Sequence, residues 1–281
     1  RVTVDPLGRL IPSPALPKLV DRKGNVWFGT PERPAVLGRV DASGAVSVYS
    51  AQDGFGDTNA ALATFEDREG TLWIGTPSGL FRFQGDVAAG ARIVDGSSER
   101  AARLLFDDSQ GTTWLSTERG LEAYRDGRIV SYSKPNDRGV PMLDPALLPG
   151  EASVQLWAFL ETRDGAVWMA TDDGVLVFDH GRFRNDEVRA QSRGAHVTTL
   201  LEDRNGTIWI GSDRGLVRVG EQGLVSIPKD DGTDPAVICL LERRDGTLLC
   251  GTRGGLLRVL DDRLVKVLPD DKAPARGIIR S

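Results

Sequence analysis

The sequence predicts an all-β fold made of repeated four-stranded antiparallel sheets. The first observation is a ten-residue phrase that occurs six times, as at 67–76 and, with Leu249 in place of Trp, at 243–252. The second is its spacing, since the turn glycines of successive copies lie 40 to 54 residues apart. The third is that Gly, Pro, Asn or Asp interrupts nearly every run before a helix of three turns could form. The turn glycines are Gly24, Gly70, Gly111, Gly165, Gly206 and Gly246.

The fifth repeat shows the predicted strands most clearly. Four short runs rich in β-branched and apolar residues follow one another at 197–203, 207–212, 216–219 and 224–227. Short strands joined by tight turns form an antiparallel meander. A meander of four strands at this period is a β-propeller blade, so a β-propeller is the predicted architecture.

Six complete blades are predicted in a single domain spanning 1–281. Their approximate bounds are 14–50, 60–95, 101–133, 154–186, 196–228 and 235–268. Residues 1–12 resemble a hairpin of third and fourth strands, and 274–281 an opening strand. Together the termini would supply a partial blade, so seven blades with a composite closure are expected and six are the alternative. The chain begins with Arg1 rather than Met, from which we expect that a leader or a preceding part of the polypeptide has been removed.

Five of the six tryptophans share one position in the second strand of their blade. They are Trp27, Trp73, Trp114, Trp168 and Trp209. Identical placement in successive repeats favours packing between adjacent blades over a ring of ligand platforms. Trp157 differs, because it opens the first strand of blade four directly after the longest insertion, 134–152, which is predicted to be a loop. It is the candidate functional aromatic, and a lid over the core is the alternative.

The aspartates of the Asp-x-x-Gly turns could indicate calcium or could cap the turns. Each turn offers one acid, whereas a calcium loop needs several oxygen ligands from one segment, so we interpret them as caps. They are Asp21, Asp67, Asp108 and Asp203.

Both cysteines lie in blade six. A hairpin turning on 243–246 would pair Glu242 with Thr247 and therefore Cys239 with Cys250. Directly opposed positions permit a disulfide with some strain, and two reduced core thiols are the alternative. A disulfide would indicate an oxidising compartment.

Composition and motifs exclude several classes of function. The net charge is −5, with acids and bases mixed along the chain and no basic stripe, so no nucleic-acid partner is expected. No apolar run approaches membrane-spanning length. Metal-ligand spacings, a nucleophile elbow and a phosphate loop are all absent from the sequence, so no catalytic residue, metal or cofactor is predicted.

Two stretches resemble the two-component-regulator propeller repeat. Residues 71–83 and 207–219 each place a Trp three residues after the turn glycine and a Gly-Leu pair shortly beyond it, and 51–59 resembles the segment that precedes such repeats. The resemblance implies a periplasmic or otherwise extracytoplasmic sensor region of a bacterial histidine kinase or diguanylate cyclase. It further implies flanking propeller and signalling domains in the same polypeptide and an oligosaccharide ligand.

The predicted ligand site lies at the channel mouth, on the face where the insertion and the turns between second and third strands emerge. Arginines suit a carboxylate or sulfate, and a Trp suits stacking on a sugar ring. Ordinary solvated turn charge is the alternative interpretation. The candidate residues are Asn59, Arg119, Trp157, Asp172, Asp173, His196, Arg214 and Arg253.

The predicted function is a non-catalytic sensor module that binds a carbohydrate or another small ligand. A propeller enzyme of the lyase or lactonase type is one alternative, because 24–28 and 37–41 faintly resemble the streptogramin lyase repeat. A protein-interaction scaffold is the other, and it would require a large exposed apolar or single-sign face.

Overall fold

The chain forms two compact units, Arg1–Pro141 and Met142–Ser281, here the N-terminal and the C-terminal unit. The computed structural model describes residues 2–4, 10–12, 16–29, 37–49, 63–68, 70–76, 79–84, 87–92, 102–117, 120–126, 128–135, 141–144, 155–184, 186–221, 223–229 and 236–267.

The N-terminal unit holds a two-stranded hairpin and three four-stranded antiparallel sheets. The hairpin consists of β1 (Val2–Val4) and β2 (Leu10–Pro12). Sheet one consists of β3 (Leu16–Val20), β4 (Val26–Gly29), β5 (Leu37–Val40) and β6 (Val46–Tyr49). Sheet two consists of β7 (Ala63–Glu66), β8 (Leu72–Thr76), β9 (Gly79–Gln84) and β10 (Val87–Arg92). Sheet three consists of β11 (Ala102–Asp107), β12 (Thr113–Thr117), β13 (Gly120–Arg125) and β14 (Arg128–Ser131).

Two short strands, β15 (Ser133–Pro135) and β16 (Pro141–Leu143), fall largely inside the insertion at 134–152. The prediction of a loop is therefore wrong for these residues. The rest of the insertion beyond residue 144 lies outside the described residues.

The C-terminal unit holds the other three four-stranded sheets and one short helix. Sheet four consists of β17 (Leu156–Glu161), β18 (Val167–Thr171), β19 (Gly174–Asp179) and β20 (Arg182–Phe183). The helix is α1 (Glu187–Ser192). Sheet five consists of β21 (Val197–Glu202), β22 (Ile208–Ser212), β23 (Gly215–Gly220) and β24 (Gly223–Ser226). Sheet six consists of β25 (Val237–Glu242), β26 (Leu248–Thr252), β27 (Gly255–Leu260) and β28 (Arg263–Lys266).

These six sheets confirm the predicted β-propeller class, with one four-stranded antiparallel meander for each repeat. Within each unit, the first strands of successive sheets contact each other, as β17 contacts β21 and β21 contacts β25. The predicted hairpin in 1–12 is also present. The opening strand predicted at 274–281 lies outside the described residues, and a total of seven or six blades stays a prediction.

The aspartate of each Asp-x-x-Gly turn caps the hairpin between first and second strands, as predicted. In sheet five, Asp203 Oδ1 accepts hydrogen bonds from the backbone N–H groups of Asn205 and Thr207, both at 2.9 Å. Gly206 completes the turn at a φ of 83°, which favours glycine. The second oxygen has a role that the sequence analysis missed, because Trp209 Nε1 donates to Asp203 Oδ2 at 2.8 Å.

The same indole-to-carboxylate bond recurs in the three sheets of the N-terminal unit. Its lengths are 2.9 Å for Trp27 with Asp21, 2.7 Å for Trp73 with Asp67, and 2.9 Å for Trp114 with Asp108. Sheet six loses both partners together, since Arg243 and Leu249 occupy the two positions. Sheet four keeps Trp168 but has Thr162 at the aspartate position, so the turn cap and the core tryptophan form one hydrogen-bonded pair in sheets one, two, three and five.

Four of the five shared tryptophans, all but Trp114, pack between adjacent sheets of one unit, which confirms the packing interpretation at those positions. Trp168 of sheet four clusters with Val197 and Ile210 of sheet five. Trp209 of sheet five clusters in turn with Val237 of sheet six. At these four positions the indole buries its apolar surface against the next sheet, and in Trp27, Trp73 and Trp209 the indole N–H donates to an aspartate.

An arginine that follows the capping residue joins successive sheets at the same end. Arg204 Nε contacts Glu242 Oε1 at 2.5 Å, and its Nη2 donates to the carbonyl of Arg243 at 2.6 Å. Arg163 makes the equivalent bonds one sheet earlier, from its backbone N–H to Glu202 Oε2 at 2.9 Å and from Nη2 to a turn carbonyl. These bonds are partly exposed, so they set the register between sheets more than they add stability.

The predicted register of sheet six is wrong by one residue. Arg243 N donates to Thr247 O and Gly246 N donates to Arg243 O, both at 2.9 Å. The first ladder pair is consequently Glu242 with Leu248. The turn contains one residue more than predicted because Gly246, with a φ of 89°, adds a glycine bulge to the loop.

The shift separates the two cysteines. Cys239 lies opposite Gly251, and Cys250 lies opposite Leu240, so the predicted Cys239–Cys250 pair does not form. Adjacent ladder positions point to opposite faces of a sheet, and neither cysteine forms a disulfide. Burial, with a smaller effect of Cys239, raises the pKa of Cys250 to about 12. Its thiol consequently stays protonated and packs as a small apolar side chain.

We expect Asp203→Asn to destabilise the protein at neutral pH more than in acid. Burial raises the pKa of Asp203, but hydrogen bonds from Trp209, Thr207 and Asn205 together outweigh it and hold the pKa below its usual value. A carboxyl whose pKa is lower in the folded than in the unfolded state contributes stability above the unfolded pKa of about 4. That contribution is lost as the pH falls through the folded pKa.

Urea unfolding at about pH 7 and about pH 3 measures this difference, since the contribution of the carboxylate is complete at the first pH and reduced below the unfolded pKa. The control is Asp261→Asn, the same change in an exposed turn where a φ of 49° suits Asn. A loss of stability for Asp203→Asn that is equal at both pH values would contradict the expectation.

Candidate functional site

The structure describes six of the eight predicted site residues. Asn59 and Arg119 lie outside the described residues. Arg253 is exposed in the turn between β26 and β27. The remaining five are Trp157, Asp172, Asp173, His196 and Arg214, and all belong to the C-terminal unit.

The turn between β18 and β19 carries the two aspartates. Thr171 Oγ1 donates to Gly174 O at 2.9 Å and accepts from Asp173 N at 3.0 Å, which closes the turn. Gly174 adopts a φ of 98°, a conformation that L side chains rarely adopt. The turn presents Asp172 and Asp173 to different partners.

Trp157 is the extra residue of a β-bulge at the start of β17. Leu156 pairs with Thr171 and Ala158 pairs with Ala170, so Trp157 has no opposite residue on β18. Bulges redirect a side chain and occur often beside functional sites. The Trp157 side chain is 47% exposed, whereas the other five tryptophans are all buried.

The same bulge recurs in sheets five and six without an aromatic residue. The extra residues there are Thr198 and Ile238. Thr198 Oγ1 donates to Val237 O of the neighbouring sheet at 2.5 Å, which is a structural contact. The same β-bulge therefore presents a tryptophan in sheet four and other residues in the next two sheets.

Three predicted residues meet in one group, the Trp157 cluster, which consists of Trp157, Asp172 and His196. Trp157 Nε1 donates to Asp172 Oδ1 at 2.7 Å. His196 Nδ1 lies 2.7 Å from the same oxygen. The two rings meet edge to face, with centroids 4.9 Å apart and an interplanar angle of 70°.

The Trp157 cluster fixes the tautomer of its histidine. An ionised carboxylate oxygen only accepts hydrogen bonds, so Nδ1 of His196 carries the proton that is donated to Asp172. In the neutral ring, Nε2 is then an acceptor. The side chains of His196 and Asp172 are 39% and 35% exposed, so both can be reached by a small ligand.

Asp173, the next residue of the turn, bonds to the segment that leads to His196. Its carboxylate forms an ion pair with Arg189 of α1 at 2.8 Å and accepts from Gly194 N at 2.7 Å. Arg189 Nη1 also donates to the backbone carbonyl of Asp173. The Arg189 side chain is only 6% exposed, so this is a mostly buried and fully partnered charge pair.

Arg214 and Asp213 fix the segment that precedes β21. Arg214 Nη2 donates to Gly194 O at 2.6 Å, and Nη1 donates to Arg193 O at 3.3 Å. Asp213 Oδ1 accepts from His196 N at 3.0 Å. The guanidinium of Arg214, predicted to contact a ligand, thus contacts the backbone beside His196.

Helix α1 and Arg189 were missed by the sequence analysis. A helix of six residues is too short for an apolar periodicity, although Asp186 caps it, with Oδ1 accepting from Arg189 N at 3.2 Å. An Asp followed by seven residues without Gly or Pro is the one local signal that could have indicated it.

The described residues contain no group of three or more His, Cys, Asp or Glu that could coordinate a metal ion. In the same residues, no helix has the length and apolar character needed to cross a membrane.

Several solved structures resemble this chain at low sequence identity. The virginiamycin B lyase of Staphylococcus aureus superimposes with a TM-score of 0.57 at 12% identity, covering 92% of this chain and 85% of the lyase. A catalytically inactive form of that lyase with quinupristin gives 0.59 at 12% identity, covering 92% and 86%. The extracellular domain of a B. thetaiotaomicron protein assigned to a hybrid two component system gives 0.42 at 15%, covering 96% of this chain and 42% of that domain.

At these identities the lyase similarity shows a common β-propeller fold and nothing further. A search of the curated proteins finds no match to this chain. The model of the family described as two component regulator propeller matches residues 54–78 and 192–214. These segments fall on the second and fifth repeats, the two whose sequences resemble that repeat. Two segments of the chain therefore match the two-component regulator propeller family, as the sequence resemblance predicts.

Proposed function

We propose that this chain is a non-catalytic sensor module of a bacterial signal-transduction protein and binds a small ligand, such as a carbohydrate, at the Trp157 cluster. The observation that carries the proposal is the state of Trp157, which is 47% exposed yet fixed by a hydrogen bond to Asp172. An indole that is ordered before binding loses little conformational entropy when a ligand stacks on it. The family match supports the signalling context.

The proposal includes the setting of the module. We propose an extracytoplasmic location and further propeller and signalling domains in the same polypeptide, and the family match of two repeats supports this setting. The chain would form one propeller domain of seven blades, closed by strands from both termini. No nucleic acid, metal or cofactor takes part in the proposed function.

The proposed site places Trp157, Asp172 and His196 in contact with the ligand. Asp173 and Arg214 would act as positioning residues, because both bond to the segment that carries His196. The further candidates at neighbouring openings are Asn59, Arg119 and Arg253.

We expect a carbohydrate panel to contain a compound that raises the melting temperature of the protein, since a ligand that binds only the folded state stabilises it. A concentration about 100 times the Kd adds about 2.7 kcal/mol. Trp157→Ala should abolish the rise and leave the melting temperature without ligand within a few degrees, because the side chain is half exposed.

Thr198→Ala is the comparison variant at the equivalent bulge of sheet five, and it should keep the response to the ligand. Its own loss of an inter-sheet hydrogen bond lowers the baseline melting temperature only. A ligand-induced rise that survives Trp157→Ala would place the binding elsewhere.

A second candidate function is enzymatic, and the His196–Asp172 pair favours it. A histidine whose Nδ1–H is donated to a carboxylate leaves Nε2 in the position of a general base. Turnover of a lactone or lyase substrate that is abolished by His196→Ala, with binding retained, would support this function over the sensor. Binding without turnover across such substrates would support the sensor.

A further inference from the structure

The ligand class follows from the hydrogen-bonding groups that the Trp157 cluster leaves open, an argument that rests on the proposed function. The two described contacts of the Asp172 carboxylate both use Oδ1. Within the described part of the chain, no hydrogen bond reaches Asp172 Oδ2 or His196 Nε2. Both atoms are acceptors when His196 is neutral. The open polar groups beside the indole are therefore two acceptors.

Two neighbouring cations bond to the protein itself rather than facing a ligand. Arg189 is buried and paired with Asp173. Arg214 donates from both terminal nitrogens to the carbonyls of Arg193 and Gly194. The bidentate geometry that arginine offers to a carboxylate or sulfate is thus used on the protein's own backbone and on Asp173.

An anionic ligand would meet an unfavourable arrangement here. Its charge would lie beside the Asp172 carboxylate, and the guanidinium groups of Arg189 and Arg214 are already bonded within the protein. A hydroxyl or ammonium group on the ligand would instead donate to Asp172 Oδ2 or His196 Nε2. An apolar ring face would at the same time cover the exposed indole of Trp157.

We infer that the Trp157 cluster binds a sugar ring that bears hydrogen-bond donors and no negative charge, and that it discriminates against acidic sugars. The shared chemistry is a pyranose with an apolar face and donor groups at its edge. A neutral sugar supplies hydroxyls, and an amino sugar supplies an ammonium group that adds attraction to the carboxylate and to the indole face.

The test uses three matched probes: a cello-oligosaccharide, a chitosan oligosaccharide and an oligomer of glucuronic acid. They share a pyranose ring and differ in carrying only hydroxyls, an ammonium group or a carboxylate. Acrylamide quenching of fluorescence reports binding directly, because Trp157 is the exposed tryptophan and the other five are buried. Protection of Trp157 by a probe, titrated to saturation, gives the Kd.

We expect the neutral or the amino probe to protect Trp157 with an affinity at least about tenfold higher than the acidic probe. Preference for the amino probe that declines with added salt identifies an ammonium ligand, and equal binding identifies hydroxyl donors. Either outcome supports the inference. Tighter binding of the acidic probe would overturn it while leaving the proposed sensor site intact.

Asp172→Asn provides the matched substitution. The amide keeps one oxygen for Trp157 and His196 and replaces the second acceptor by an NH₂ donor. The neutral and amino probes should bind about tenfold more weakly, and the acidic probe should bind more tightly than it binds the unsubstituted protein. Asp261→Asn, the same change in the exposed turn after β27, should alter none of the three.

Unchanged selectivity in Asp172→Asn would also overturn the inference. Failure of all three probes to protect Trp157 would count against the inference and, together with a carbohydrate panel that leaves the melting temperature unchanged, against the proposed function.

Discussion

Trp209→Ala should reduce the free energy of unfolding by about 3–5 kcal/mol, the range for truncating a large buried aromatic side chain. Trp209 is 7% exposed and packs against Val237, Leu248 and Cys250 of the next sheet. Its removal opens a cavity between two sheets and takes the indole N–H away from Asp203. The loss is a large fraction of the roughly 5–15 kcal/mol by which most proteins are stable.

Trp157→Ala is the matched control, because it makes the same chemical change at a side chain that is 47% exposed. Its effect should stay at about 1 kcal/mol, from one exposed hydrogen bond and partial burial. Urea unfolding followed by circular dichroism measures both variants. Equal losses at the two positions would refute the assignment of Trp209 to the inter-sheet core.

Trp209→Phe separates packing from the hydrogen bond. Phe keeps most of the apolar volume but cannot donate to Asp203 Oδ2, so about 1–3 kcal/mol should be lost. In a double-mutant cycle with Asp203→Ala, the two changes should be clearly non-additive, because each removes the same bond. Simple additivity would show that the bond contributes nothing of its own.

The repeated part of this fold was predictable because the residue types that recur in each repeat have specific structural requirements. A glycine such as Gly206 marks a turn with positive φ, and Trp209 marks a large apolar side chain between sheets. Asp203 and Trp209 are six residues apart in the sequence. That spacing predicts a hydrogen bond between them only when the register of the hairpin is known. The predicted pairing of the two cysteines was wrong for the same reason, because the glycine bulge at Gly246 shifts the register of this hairpin by one residue.

The site was predictable in part. Trp157, Asp172 and His196 were candidates because they lie at strand openings on one face, and the structure brings all three within hydrogen-bonding or ring contact. The roles of Arg214 and Asp173 were not predictable, because a charged turn residue gives no sign of whether it faces a ligand or the backbone. Their partners lie in the connection around α1, which has no counterpart in the sequence of other repeats.

Gly174→Ala should both destabilise the protein and impair the site, and it is the second large effect expected. Gly174 has a φ of 98°, and a Cβ there would lie 2.5 Å from the backbone oxygen of Ser192. Strain at positive φ costs about 1–3 kcal/mol and overpacking against backbone costs about as much again. Because Gly174 N donates to Ala195 O at 2.8 Å, a shift of this turn displaces the residue next to His196.

Gly255→Ala is the control that isolates the steric contact. Gly255 occupies the equivalent turn of sheet six with a φ of 122°, and a Cβ there would meet no atom within 4 Å. Both variants have the same kind of backbone strain. The additional loss of unfolding free energy in Gly174→Ala, about 1–3 kcal/mol, therefore measures the steric clash with the connection around α1. Quenching of Trp157 by acrylamide should rise in Gly174→Ala and stay unchanged in Gly255→Ala, because only the first turn carries Asp172. If the two variants matched in stability and in quenching, the connection would not support the Trp157 cluster, and the pre-ordered site on which ligand binding depends would have to be abandoned.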